Sequence, residues 1–302
     1  MEHSIVNGVS HEQISLLFME ELNTKFNSSL TLAIQIFKGE YERKFMCQLI
    51  SSQIDMDRAD YLKRDSFYTG VAEGNINSER LITMLNVIDD ELVVEHKGIY
   101  SVEKFLVARR LMYWQVYLHK TSLVAEQLLI RVLKRAKELT NKGETPCASA
   151  PLQYFLKNEI ALKDFNQEVL DTFAMLDDYD IVSAMKVWQN NDDFVLKNLC
   201  DMIINRNLLQ IKVKKKKIKT ESLEGHINSL IEKYNISRQE AQYFVFSGEI
   251  SNQAYHQEKQ PINILYKNGK IEDIVKASDQ LILKALSKPV TKYYICYPKL
   301  KL

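Results

Sequence analysis

The chain has 302 residues, 46% of them hydrophobic and 26% charged, enough to bury a large core and to hold one large domain plus a smaller one. Its net charge of +1 supplies no global field to attract nucleic acid or an anionic membrane. No apolar run approaches the roughly 18 residues of a membrane span, and MEHSIVNGVSHEQ has neither the basic start nor the apolar stretch of a signal peptide.

Glycine and proline are scarce, and up to about Arg206 the apolar spacing is mostly helical. HEQISLLFMEELNTKF places Ile14, Leu17, Phe18, Leu22 and Phe26 on one stripe. In SSQIDMDRADYLKRD, Asp57, Tyr61 and Arg64/Asp65 fall on neighbouring turns of one helix. That spacing lets Asp57, Arg58, Tyr61 and Asp65 offer a metal ligand, a phosphate-binding cation, a stacking ring and a sugar hydrogen-bond acceptor. It equally describes a solvated helix with internal ion pairs such as Asp60–Arg64. DDELVVEHKGIYS has two short apolar runs around Lys97-Gly98, which predict a small hairpin there. The stretch from Ser101 to Leu139 reads as one long helical run, closed by Asn141-Lys142-Gly143. Residues 144–151 read as a loop, and the helical pattern resumes from Pro151 to Arg206. Asp177, Asp178 and Asp180 read as a helix-start cluster, and Trp114 and Trp188 as core anchors.

Beyond Arg206 the pattern changes. LLQIKVKKKKIK alternates like a strand, TESLEGHINSLIEKYN is an amphipathic helix, and Ser237 with Glu240 has capping-box spacing. AQYFVFSGEI is strand-like, Asn268-Gly269 signals a two-residue hairpin turn, and VTKYYICYPK reads as a last strand. The lysines from Lys212 to Lys219 suit an edge strand that resists aggregation; the competing reading is a phosphate grip for nucleic acid, but no aromatic residues interleave with them. The expected fold is therefore mainly α, with a helical domain over residues 1–206 and a smaller α+β domain over 207–302. Cys47, Cys147, Cys200 and Cys296 lie far apart with no CxxC pair, which argues against a zinc knuckle or disulfide framework and fits reduced thiols in the cytoplasm.

SQIDMDRADYLKRDSFYTGV resembles the late motif of HD-domain phosphohydrolases, especially the bacterial branch related to deoxynucleoside triphosphate triphosphohydrolases. The matching positions are Asp55, Asp57, Arg58, Asp60, Tyr61, Arg64, Asp65 and Gly70, and the resemblance continues through Arg109, Tyr117, His119 and Lys120. It implies a helical HD-type domain and a nucleotide substrate of the deoxynucleoside triphosphate kind. It also implies a divalent metal (Mn, Fe, Ni, Zn or Mg) and homo-oligomers, dimeric or tetrameric. By the same resemblance Asp57 is the distant metal ligand, Arg58 and Arg109 contact phosphates, Tyr61 and Asp65 line the nucleoside site, and Tyr117 packs against the sugar. Leu118 stands where nucleotide-hydrolysing members often carry a polar residue.

The resemblance also requires a His and a His-Asp pair before Asp57. None of the six histidines here (His3, His11, His96, His119, His226 and His256) is followed by Asp. MEHSIVNGVSHE is similar to the segment that follows the family's first metal-binding stretch, which matches Glu2 and His11 to residues that assist catalysis near the phosphate. The resemblance thus implies a chain truncated before three of its four metal ligands, with no metal bound or only weak activity. The alternative is a non-catalytic nucleotide-binding or assembly module that keeps Arg58, Tyr61 and Asp65.

Overall fold

The computed structural model describes residues 6–280 and 282–299. The fold is mainly α with small sheets, and among the described residues no helix is long and apolar enough to cross a membrane. By internal contacts the chain divides differently from a cut near residue 207. One compact unit takes residues 23–119 and 250–291, and the other takes 1–22, 120–249 and 292–302.

The first unit is built around the helix Ile99–Met112. Its buried face runs nearly all the way round, from Val102, Phe105 and Leu106 to Ala108 and Met112, as expected of a helix enclosed by neighbours. Leu62, Val94, Tyr255, Ile264 and Ile274 pack into the same core. A four-stranded sheet lies in this unit, ordered Leu85–Ile88, Glu91–Glu95, Asn263–Leu265, Ile271–Asp273. Its middle pair is parallel, with Val94 opposite Ile264, so a segment far along the sequence completes a sheet begun by a local hairpin.

That hairpin turns at Asp89-Asp90, not at Lys97-Gly98. Both aspartates have positive φ (48° and 64°), the conformation that a two-residue turn matched to strand twist demands. Gly98 serves close packing instead: a Cβ there would lie 2.6 Å from Met84 Cβ and 2.8 Å from Val94 Cγ1. The Asn268-Gly269 turn also differs from the expected two-residue loop. Tyr266 N–H donates to Lys270 O at 2.8 Å and closes a three-residue loop, with Gly269 at φ 80°.

The long helix expected from Ser101 onward is broken. It starts at Ile99, loosens into a π-helical turn over Tyr113–Tyr117, and gives way to a separate helix, Lys120–Asn141. Periodicity does not register such a turn, because one inserted residue leaves both flanking stripes intact.

In the second unit the helix Lys120–Asn141 carries an apolar stripe of Val124, Leu128, Val132, Ala136 and Leu139. It contacts the helices Phe194–Ile204 and Ala150–Lys157. Trp188 is buried with its indole N–H donating to Cys147 O at 2.8 Å, which bears out its anchor role. Asp177 and Asp180 form a capping box at the start of Asp178–Trp188, and Ser237 with Glu240 forms another before Arg238–Phe244. That second helix absorbs Ala241 to Phe244, so the strand expected there begins only at Phe246. Gln210–Lys214 is an edge strand, paired antiparallel to Val290–Tyr297, with Lys212 and Lys214 exposed.

Candidate functional site

The helix Met56–Thr69 positions most of the residues singled out in the sequence. Asp55 is its N-cap: one carboxylate oxygen accepts from Arg58 N–H at 2.8 Å, and the other accepts from Ser52 N–H at 3.2 Å. Gly70, at φ 70°, ends the helix in the left-handed conformation that glycine adopts without penalty. Asp55 is buried, and its carboxylate also ion-pairs with the Arg58 guanidinium, whose Nη1 further donates to Ser52 O at 2.5 Å. Arg58 is therefore anchored by one edge, with about 30% of its side chain left accessible.

The next turns carry aromatic rings. Tyr61 lies edge-on to Tyr117, with ring centroids 5.9 Å apart at 83°. The Tyr117 hydroxyl donates to Asp65 Oδ2 at 2.6 Å. Tyr113 stacks edge-on to Tyr117 at 5.1 Å. The π-helical turn makes this possible: Leu118 N–H reaches back five residues to Tyr113 O, and the added residue rotates Tyr117 toward Asp65. Burial is the main force raising the Tyr61 and Tyr117 phenols above the ordinary tyrosine range; at Tyr117 the Asp65 carboxylate adds to it. Both rings stay protonated and serve as walls and donors, not as bases.

Arg109 comes from the central helix. Only 6% of it is exposed; Nη1 donates to Ala254 O at 3.1 Å, the guanidinium lies 5.9 Å from the Tyr113 ring centre, and Nε has no hydrogen-bond partner. A buried guanidinium N–H without an acceptor is costly unless a ligand supplies one. Its charge and that of Arg58 both act on Tyr61, so Arg58, Tyr61, Asp65, Arg109 and Tyr117 form one neighbourhood.

Sequence reasoning missed His256. Burial first, then the positive charges of Arg109, Lys259 and Arg58, hold its pKa below the ordinary histidine value, so it is neutral near pH 7. Gln53 fixes it in place: the buried amide accepts from His256 N–H at 2.7 Å, donates to His256 O at 3.0 Å and also donates to Gln260 O. About 200 residues separate these partners in sequence, and nothing around His256 signals a site.

Asp57 sits in the first turn of its helix with its side chain exposed. Among the described residues no group of three or more His, Cys, Asp or Glu is gathered that could hold a metal ion, so the donors present do not fit the three-ligand site that catalysis needs. Glu2 lies outside the described residues. His11 is exposed in the second compact unit, with its Nε2 3.2 Å from Glu12 Oε1.

Comparison with known proteins supplies the lineage. Residues 76–148 match the family model of an HD associated region, a span that includes Arg109 and the π-helical turn. A crystal structure of a phosphohydrolase from Bacteroides thetaiotaomicron superimposes with a TM-score of 0.94 and is 50% identical, covering 99% of this chain and 74% of that one. The chain belongs to the HD-domain phosphohydrolase superfamily. Within the superfamily, the uncharacterized protein YwfO of Bacillus subtilis is 32% identical over 88% of this chain, and the chain spans 60% of that protein's length. A Dictyostelium discoideum protein named as a deoxynucleoside triphosphate triphosphohydrolase SAMHD1 homolog is 31% identical over 38% of this chain and 22% of its own length.

Proposed function

We propose that the Arg58–Arg109–His256 neighbourhood binds the phosphates of a nucleotide, a deoxynucleoside triphosphate in the first instance, and that Tyr61, Asp65 and Tyr117 hold its sugar. The observation that carries this reading is the unpartnered Nε of buried Arg109, beside aromatic rings and a carboxylate already oriented by Tyr117. A guanidinium keeps its charge at any working pH and presents its donors in a fixed fork, which suits phosphate oxygens. In a phosphohydrolase, water adds across a phosphate ester or anhydride bond, and cations facing the phosphoryl oxygens stabilise the charge that accumulates there. Arg58 and Arg109 are the residues of this chain assigned that task.

A second reading, a nucleotide-binding module with little or no chemistry of its own, is favoured by the exposed Asp57, which among the described residues belongs to no group of three or more metal-type donors. Isothermal titration with a deoxynucleoside triphosphate, run alongside a phosphate-release assay, separates the two. Both readings predict binding that weakens at least tenfold in Arg58→Gln and in Arg109→Gln. Turnover by the wild-type chain selects the enzyme reading, and binding without turnover selects the module. Binding unaffected by either arginine variant removes both.

A further inference from the structure

The second compact unit holds a cleft of about 910 Å³ that the Arg58–Arg109 neighbourhood does not involve. One wall is a single face of the helix Lys120–Asn141, where Gln127, Arg131, Lys134, Arg135 and Glu138 follow at helical spacing, continued by Lys142 just past its end. The facing wall is the helix Arg238–Phe244, through Gln239, Gln242 and Tyr243.

Four cations and one carboxylate, Glu138, line the cleft, and one of the cations, Arg135, is already paired with acids. Arg135 forks onto Asp193 at 3.0 and 2.5 Å and reaches Glu138 at 3.4 Å. Arg131 is held over the Phe246 ring, 3.3 Å from its centre, with Nη1 donating to Gln127 O and Oε1, both at 3.0 Å. Its burial penalises the charge, as the lowered pKa records. Tyr243 lines the same wall and is only 9% exposed, with its hydroxyl beside Glu138 and Arg135. A merely solvated basic face would not call for Arg131 to be half-buried with its guanidinium laid against an aromatic ring.

We propose that this cleft is a second anion site and that it binds linked phosphates, an oligophosphate chain either free or carried by a nucleoside. Residues one helical turn apart stand about 5–6 Å from each other, so cations spread along Arg131, Lys134 and Lys142 suit a chain of phosphates better than one ion. A concave volume of this size takes a small ligand. Tyr243 and the glutamine amides supply donors between the charges.

The test is titration of the full chain with inorganic tripolyphosphate, using Lys134→Glu/Lys142→Glu and, separately, Arg58→Gln. Both lysines are exposed, and far-UV circular dichroism checks that the variants fold. Binding that persists in Arg58→Gln and falls tenfold or more in the double variant, with a steep salt dependence, supports the site. A nucleoside triphosphate that binds no tighter than tripolyphosphate identifies free phosphate chains as sufficient; one that binds tenfold tighter, with the same loss in the double variant, identifies the nucleotide as the source. No binding at millimolar tripolyphosphate overturns the proposal, as does binding that the double variant leaves unchanged or that Arg58→Gln alone abolishes. Failure here leaves the Arg58–Arg109 reading standing, because that reading is tested by its own variants.

Discussion

At the scale of single residues, charge is placed where water is scarce. Arg109 is buried with one N–H unsatisfied, and His256 is kept neutral first by burial and then by the cations around it. The sign follows from the lowered pKa. Protonation of His256 is opposed by Arg58, Arg109 and Lys259, so at neutral pH it contributes no charge, and it gains one only as pH falls below the ordinary histidine range. A bound phosphate chain would offset that repulsion. Wild-type affinity for a nucleotide should therefore rise more steeply on acidification than the affinity of His256→Gln, the ligand's own titration being common to both. Parallel pH profiles from titration calorimetry would rule His256 out of the phosphate neighbourhood. Stability should run the other way: a histidine whose folded pKa is depressed favours the folded state above its unfolded pKa, and that contribution is lost as pH falls through the folded value.

At the scale of elements, the start of Met56–Thr69 is held by a single side chain. Asp55 caps the helix, accepts from Ser52 and neutralises Arg58, all while buried. Asp55→Ala should cost about 2–3 kcal/mol, combining loss of a cap with an ion pair broken on its buried side. Asp57→Ala, in the same first turn but exposed, should cost less than about 0.5 kcal/mol. Urea unfolding of the two variants gives the comparison, and equal losses would mean that the cap does not govern this helix. The sequence exposed the D-x-D spacing but not which aspartate was structural. Both aspartates fit the motif, and burial separates them: Asp55 is 2% exposed while Asp57 is exposed.

At the scale of the whole molecule, the deciding quantity is the metal donor count. Among the described residues no three donors gather around exposed Asp57, and fewer compete poorly with water for a transition metal, so the purified chain should carry far less than one equivalent of Mn, Fe, Ni or Zn by plasma mass spectrometry. Asp57→Ala should leave that content unchanged. Near-stoichiometric metal that disappears in Asp57→Ala would show a donor set that the described residues do not assemble, and would make the enzyme reading the one to pursue.

The sequence by itself determined the mainly helical class, the helix caps at Asp177 and Ser237, the edge position of the lysine strand and the Arg58–Tyr61–Asp65 face. Each depends on local spacing or on one turn of helix, where neighbours in sequence are neighbours in space. It also carried the resemblance to HD-domain phosphohydrolases in a short run of residues. Tertiary structure alone decided the rest. The hairpin turned at Asp89-Asp90, whose positive φ values close the two-residue loop, while Gly98 serves a close approach to Met84 and Val94. The long helix broke at Tyr113–Tyr117, where a π-helical turn set Tyr117 against Asp65. His256 and the parallel strand Asn263–Leu265 joined a unit begun more than 150 residues earlier. Periodicity reports which side of an element is apolar, but the partner that covers that side is chosen by packing across the whole chain, and the candidate site lies where those distant choices meet.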